Sequence, residues 1–146
     1  MTATTHSLVG VSLGRLIPNP IVALTVVFLS NFILDAVPHW DTGTGWHNRP
    51  KKITFIMSAV DVSLGLVLAW VFFHSKLNPL YLFSLVFAST LADWTEAPYI
   101  FLNWNFPPFN WFYKIQSKYH ARNGSLWGIV TQLVIVIPLV LVAYYL

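Results

Sequence analysis

The chain has 146 residues, of which 56% are hydrophobic and 9% are charged, with a net charge of +3. Soluble domains carry about 25% charged residues, so the composition predicts an integral membrane protein with a single transmembrane domain, residues 1–146. The absence of cysteine excludes disulfides, thiolate catalysis and cysteine-ligated metals. No stripe of Lys and Arg lies outside two loops, which argues against nucleic-acid binding. The expected partner is membrane lipid, with a homo-oligomer or a larger membrane complex left open.

Long apolar runs recur along the chain, and a spanning helix needs about 20 mostly apolar residues. Before the first long run, residues 7–17 form a shorter apolar segment that a Pro18-Asn19-Pro20 turn ends. The sequence therefore predicts an all-α bundle of four transmembrane helices plus a short N-terminal helix, either re-entrant or half-spanning. The four predicted spans are residues 21–37, 53–73, 80–101 and 126–146.

The distribution of Lys and Arg predicts the orientation of this bundle. The loops at residues 38–52 and 102–125 carry six of the eight basic residues, so the positive-inside rule assigns both loops to the cytoplasm. The second loop is also rich in aromatic residues, which fits an interfacial belt or a short helix lying among the lipid headgroups. Its aromatic side chains are those of Trp104, Phe106, Phe109, Trp111, Phe112, Tyr113 and Tyr119.

The acidic residues fall in the cytoplasmic half of the predicted bundle. Asp61 and Asp93 each lie about 12 Å in from the end of a predicted helix, at about 1.5 Å per residue. Glu96 follows Asp93 by one turn. Asp35 lies near the end of its predicted helix, and folding the N-terminal hairpin brings His6 beside it. A charged side chain in a bilayer costs about 2.5–3.5 kcal/mol or more, so this layer of acids indicates a functional site.

Three interpretations of the polar layer remain open at this point. The side chains could tie helices together through hydrogen bonds, bind zinc, manganese or magnesium through carboxylates and imidazoles, or form a proton or ion path. Asp41 and His47, in the loop after the second predicted helix, are further candidates. The candidate metal ligands in the layer are His6, Asp35, His39, Asp61, Asp93 and His120.

Two motifs near the N-terminus carry a resemblance to a known family. Thr-His-Ser-Leu-Val-Gly at residues 5–10 is followed by Leu-Asp-Ala-Val-Pro-His-Trp-Asp at residues 34–41. Together they resemble bacterial small membrane proteins described as membrane-bound metal-dependent hydrolases. The chain departs from that pattern, because its Asp-x3-His-x-Asp is looser than Pro-Asp-x-Asp-His. In place of the second His-rich motif it has residues 118–124, with one histidine. The resemblance implies metal ligands at His6, Asp35, His39 and Asp41.

The leading hypothesis is a metal-dependent hydrolase of the bacterial inner membrane, acting on a lipid-borne phosphate or other ester at the cytoplasmic leaflet. Asp93, Glu96 or Asp61 would be the catalytic carboxylate, since a buried carboxyl can act as a general base. One alternative is a non-enzymatic subunit that binds a partner or pigment through its Trp-rich face, and another is ion or proton translocation. The basic residues expected to hold a substrate headgroup are Lys51, Lys52, Lys118 and Arg122.

Overall fold

The secondary structure of the chain is helical, as predicted. The computed structural model describes residues 1–43 and 48–146, so the candidate ligand His47 lies outside the described residues. Helix α2 ends where it does because the residue before Pro38 disfavours the helical conformation. The helices of the described part are α1 (Ala3–Leu16), α2 (Pro20–Asp35), α3 (Lys51–Phe73), α4 (Pro79–Leu102), α5 (Phe109–Tyr119) and α6 (Leu126–Tyr145).

The prediction of four transmembrane helices is wrong. Among the described helices only α3, with 23 residues, and α6, with 20 residues, are both long enough and apolar enough to cross a membrane. Helix α2 is apolar but has 16 residues, which is short of the roughly 20 that a bilayer requires. Helix α4 has 24 residues, but Asp93, Thr95 and Glu96 make its second half too polar to count as a long apolar span.

Helices α3 and α6 present most of their apolar side chains to the outside of the protein. Only 17% of the apolar window of α3 and 28% of that of α6 is buried, whereas the core helix of a soluble domain is buried all round. Val60 and Val67 on α3 and Val134 on α6 are each more than half exposed. Continuous apolar surface of this kind marks contact with lipid or with another protein.

Helix α1 lies at the centre of the bundle, where it contacts α2, α3, α4 and α6. Nine of its 14 residues are buried, and it begins at Ala3 rather than at the predicted residue 7. Gly65 on α3 permits a close backbone approach of α1, since a Cβ added there would lie 2.9 Å from the Cα of Thr4. The first turn of α1 therefore lies directly against α3, beside Asp61.

Candidate metal centre

Two loop segments that are far apart in sequence are bound to each other through their backbones. The N–H of His39 donates to the carbonyl of Ala121 at 3.1 Å, and the N–H of Ala121 donates to the carbonyl of Asp35 at 2.8 Å. These bonds accompany an isolated parallel β-bridge between His39 and Arg122. The pairing holds the segment that follows α2 against the segment that follows α5, and so brings His39 beside His120.

The first turn of α6 holds both segments in place. The N–H of Trp40 donates to the carbonyl of Gly128 at 3.0 Å. A Cβ added at Gly128 would lie 2.4 Å from the carbonyl oxygen of Asn123 and 2.6 Å from the nitrogen of Trp40. Because these are backbone atoms, a side chain at this position would displace both segments. Glycine at 128 therefore allows the approach that sets the positions of His39 and His120.

Asp35, His39 and His120 converge on one point, and their potential ligand atoms all lie within 4.8 Å of one another. The Nε2 atoms of His39 and His120 are 2.8 Å apart, and each lies 3.8 Å from Asp35 Oδ1. Nitrogen and oxygen ligands of tetrahedral zinc lie about 2.0–2.2 Å from the metal, hence roughly 3.3–3.5 Å from each other. The spacing of the three side chains brackets this value, so the group can hold a metal ion.

Asp41 and His6 extend this group on two sides. Asp41 Oδ2 lies 2.8 Å from His120 Nε2 and 3.5 Å from His39 Nε2. His6, on the buried helix α1, has its Nε2 3.1 Å from Asp35 Oδ1. All five side chains are at most 7% exposed. Three imidazoles and two carboxylates thus meet in a group that is almost wholly buried.

Hydrogen bonding determines which nitrogen of His39 faces the group. Its Nδ1 lies 2.6 Å from the carbonyl oxygen of Val37, so Nδ1 carries the proton and Nε2 presents a lone pair when the ring is neutral. Histidine ligands of metals commonly donate their second N–H to a backbone carbonyl in this way. Within the described part of the chain, Asp35 Oδ2, His6 Nδ1 and His120 Nδ1 are buried without a hydrogen-bond partner.

The donor set fits a divalent cation. Imidazole nitrogens together with carboxylate oxygens suit zinc and manganese, whereas magnesium prefers sites made of oxygen ligands alone. A positive charge already lies beside one of the two carboxylates, because Arg122 Nε is 3.1 Å from Asp41 Oδ2. The amino group of Met1 contacts the other carboxylate at Asp35 Oδ1. A cation would provide a partner for Asp35 Oδ2, which has none among the described residues. It would also bind the Nε2 atoms of His39 and His120, which face each other.

Asp41 and His120 are held in the protonation states that metal ligands need. Burial lowers the pKa of His120 to about 4, although its hydrogen bond with Asp41 acts in the opposite direction. Burial alone would raise the pKa of Asp41, but hydrogen bonds with His120 and His39 and the charge of Arg122 hold that pKa well below its usual range. Near pH 7 the two residues are therefore a neutral imidazole and a carboxylate, the forms that bind metal.

The lowered pKa of His120 is expected to make the stability of the metal-free fold depend on pH. An ordinary histidine is half protonated near pH 6.5, but burial lowers the pKa of His120 to about 4. This difference makes the metal-free fold less stable as pH falls from about 6.5 to about 4, because the unfolded chain binds the proton first. Any fall in Tm over this range should be smaller in metal-free His120→Ala than in the metal-free wild type, and an equal pH dependence of Tm in both would contradict this.

Asp61 lies against the N-terminus of α1 rather than in the group of three. Its carboxylate accepts hydrogen bonds from the N–H groups of Ala3 at 2.8 Å and Thr4 at 3.1 Å, and from the Thr4 hydroxyl at 2.7 Å. A carboxylate stabilises a helix N-terminus because it satisfies unpaired N–H groups and opposes the helix dipole. The contacts of Asp61 are therefore those of a helix cap.

Asp93 and Glu96 lie on α4, outside the group that Asp35, His39 and His120 form. The carboxylate of Asp93 accepts from the side-chain amides of Gln116 at 3.2 Å and Asn31 at 3.3 Å. Glu96 is one turn further along and is 9% exposed. Sequence reasoning had not identified Gln116, although it is the one buried residue of α5 and lies four residues before His120, on the same helical face.

A cavity of about 240 Å³ connects the acids on α3 and α4 with the metal-binding group. Its apolar wall, between α3 and α4, includes Phe55, Ala59, Val62, Trp94, Ala97 and Ile100. Its polar wall consists mainly of Asp41, Asp61, Asp93, Glu96, His120 and Arg122. The cavity thus combines an acidic end beside the candidate metal ligands with an apolar side.

Of the four basic residues expected to hold a headgroup, Arg122 is the one that lines this cavity in the described structure. Lys51 is exposed, and its Nζ donates to Asn103 Oδ1 at 2.9 Å. Lys52 and Lys118 are also exposed. Of these four residues, Arg122 is therefore the one placed beside the candidate metal ligands, with its Nε 3.1 Å from Asp41 Oδ2.

No family model, no curated protein and no solved structure matches the chain. The resemblance of residues 5–41 to membrane-bound metal-dependent hydrolases consequently stays a prediction from the motifs.

Proposed function

We propose that the protein is a membrane-embedded, metal-dependent hydrolase that cleaves a lipid-borne phosphate or other ester. The observation that carries the proposal is the convergence of His39, His120 and Asp35, with Asp41 beside them, next to a cavity whose other wall is apolar. Metal-dependent hydrolases need this combination of nitrogen and oxygen ligands with space for a substrate. The exposed apolar surfaces of α3 and α6 support a position in a bilayer.

In this proposal Asp35, His39 and His120 hold the cation. A divalent cation supplies Lewis acidity, which polarises the oxygen of an ester and acidifies a water molecule. Glu96 is the best-supported proton acceptor, because it lines the cavity while the carboxylates of Asp61 and Asp93 already accept hydrogen bonds that hold helices together. Glu96 would take the proton of the attacking water and pass it to the leaving group.

A lipid substrate is favoured by the way in which the cavity opens. Phe55 and Trp94 line the cavity, yet they are 58% and 50% exposed on the outer surface. An acyl chain can therefore enter between α3 and α4 directly from the surrounding lipid. Arg122 would contact an anionic headgroup. The excess of Lys and Arg in loops 38–52 and 102–125 supports a site at the cytoplasmic leaflet of a bacterial inner membrane.

The proposal is tested with metal-loaded protein in lipid–detergent micelles that contain phosphatidic acid, phosphatidylcholine or diacylglycerol. We expect release of phosphate, a phosphorylated headgroup or fatty acid in at least one of them. Glu96→Gln should lower turnover by about 10²–10⁴-fold while its metal content stays that of the wild type. Ser84→Ala is the matched control and should keep full turnover, because Ser84 lies on the same helix outside the cavity wall and its hydroxyl donates to the carbonyl of Leu80 at 2.8 Å.

Two results would contradict the proposal. Metal-loaded wild-type protein that cleaves none of these esters would remove the hydrolase assignment and leave a metal-binding membrane protein. Turnover that survives Glu96→Gln unchanged would remove Glu96 as the proton acceptor.

A further inference from the structure

Helix α5 carries site residues on its inner face. Gln116 is 3% exposed, and its amide donates to Asp93 Oδ1 at 3.2 Å and lies 3.4 Å from Asn31 Oδ1. The helix then ends at its C-cap His120, one of the three candidate metal ligands. Whatever fixes the position of α5 therefore also fixes His120 and the hydrogen bond to Asp93.

The outer face of α5 combines an apolar stripe with lysines. Trp111, Ile115 and Tyr119 recur at intervals of four residues and are 60%, 47% and 58% exposed, so they follow one edge of the helix. Lys114 and Lys118 are exposed as well, and they lie one turn apart along the neighbouring edge. The helix contains no acidic residue, and Ser117 is its one exposed residue that is neither apolar nor cationic.

We propose that this outer face of α5 lies in the headgroup interface of an anionic lipid bilayer. In such helices the apolar side chains enter the upper part of the acyl-chain region, while lysines extend to the level of the phosphates. Charge complementarity favours anionic lipid, because residues 103–125 carry three Lys and Arg residues and no Asp or Glu.

The surroundings of α5 favour lipid as the occupant. Helix α2, which contacts α5, exposes Leu29 and Ile33 at 51% and 67%, so the apolar surface continues beyond α5. The connection that precedes α5 exposes Trp104 and Phe106 at 43% and 51%, and aromatic rings of this kind concentrate at membrane interfaces. If α5 lies in the headgroups, His120 at its end lies directly beneath the lipid surface. The inference does not depend on the hydrolase proposal.

The absence of cysteine from the sequence allows a direct test with single-cysteine variants of the full chain. Ile115→Cys and Ser117→Cys each carry an environment-sensitive fluorophore in phosphatidylcholine liposomes containing about one third phosphatidylglycerol. Both positions are exposed in the structure, but they point about 160° apart around the helix. Nitroxide-labelled lipid should quench the probe at 115 several-fold more than the probe at 117. Aqueous iodide should show the reverse order.

The same probes show whether α5 needs anionic lipid, and whether lipid or a protein covers its outer face. Quenching at 115 should weaken in pure phosphatidylcholine, and it should weaken equally in the Lys114→Gln, Lys118→Gln double variant. Equal quenching at 115 and 117 by either agent would overturn the proposal, because α5 would then have no lipid-facing edge. Protection of 115 from both agents would overturn it as well, since a second copy or another protein would then cover the face.

Discussion

Asp35→Asn, His39→Ala and His120→Ala should each abolish most metal binding by the purified protein. The wild type, reloaded with zinc or manganese in detergent and freed of excess ion, should retain about one ion per chain. Removal of a residue that hydrogen-bonds a metal ligand lowers metal affinity about 10–100-fold. Removal of a ligand itself should therefore lower metal affinity about 100-fold or more. Elemental analysis of the dialysed proteins, set against protein concentration, measures the effect.

His74→Ala is the matched control for these variants. His74 is exposed, and its Nδ1 lies 2.9 Å from the carbonyl of Trp70 on its own helix, so its replacement should leave the metal content unchanged. Circular dichroism of every variant separates loss of metal from loss of fold. Retention of metal in all three ligand variants, or equal loss in His74→Ala, would contradict the assignment of the ligands.

Asp61→Ala should destabilise the fold clearly, and Asp61→Asn should do so less. Asp61 is 8% exposed, and removal of its carboxylate leaves the N–H groups of Ala3 and Thr4 without their acceptor, whereas the Thr4 hydroxyl keeps the backbone carbonyl of residue 61 at 3.0 Å. Each unsatisfied buried group costs about 1–3 kcal/mol, so the free energy of unfolding should fall by about 2 kcal/mol or more. For a chain of this size that corresponds to a fall of about 4–8 °C in Tm.

Thermal unfolding of metal-loaded protein in detergent measures this effect, with Ser63→Ala as the control. Ser63 lies on the same helix, is exposed, and bonds the carbonyl of Ala59 within that helix at 2.8 Å. The folded fraction of Asp61→Ala should still bind metal, because Asp61 caps α1 and lies outside the group of three ligands. A Tm equal to that of Ser63→Ala, or loss of metal from protein that stays folded, would contradict this role.

The sequence predicted the all-α fold and the residue types of the metal-binding group. Apolar runs of the right length identified α3 and α6. Asp35, His39 and His120 were among the six predicted ligands, but the sequence did not separate them from Asp61 and Asp93, which lie outside the group of three. The error of four spans had two causes. The predicted span 21–37 extended past Asp35, where α2 ends, and so overestimated the length of that helix. The predicted span 80–101 included the polar residues in the second half of α4, which lower the hydropathy of that helix.

The contacts that assemble the site could not be predicted from the sequence. The pairing of Asp41 with His120 depends on the backbone bridge between residues 39 and 122, and neither segment has a local pattern that specifies the other. Asp61 lies on α3 as predicted, but its hydrogen bonds to Ala3 and Thr4 exist because Gly65 lets α1 approach α3. Such a contact is a property of the packed helices.

X-ray absorption spectroscopy of the zinc-loaded protein tests most directly whether Asp35, His39 and His120 bind a metal together. We predict a first shell of nitrogen and oxygen atoms at about 2.0–2.1 Å, with outer-shell scattering from at least two imidazoles that falls by one imidazole in His120→Ala. A spectrum without imidazole scattering, or a protein that retains no zinc after loading, would contradict the assignment of the metal centre.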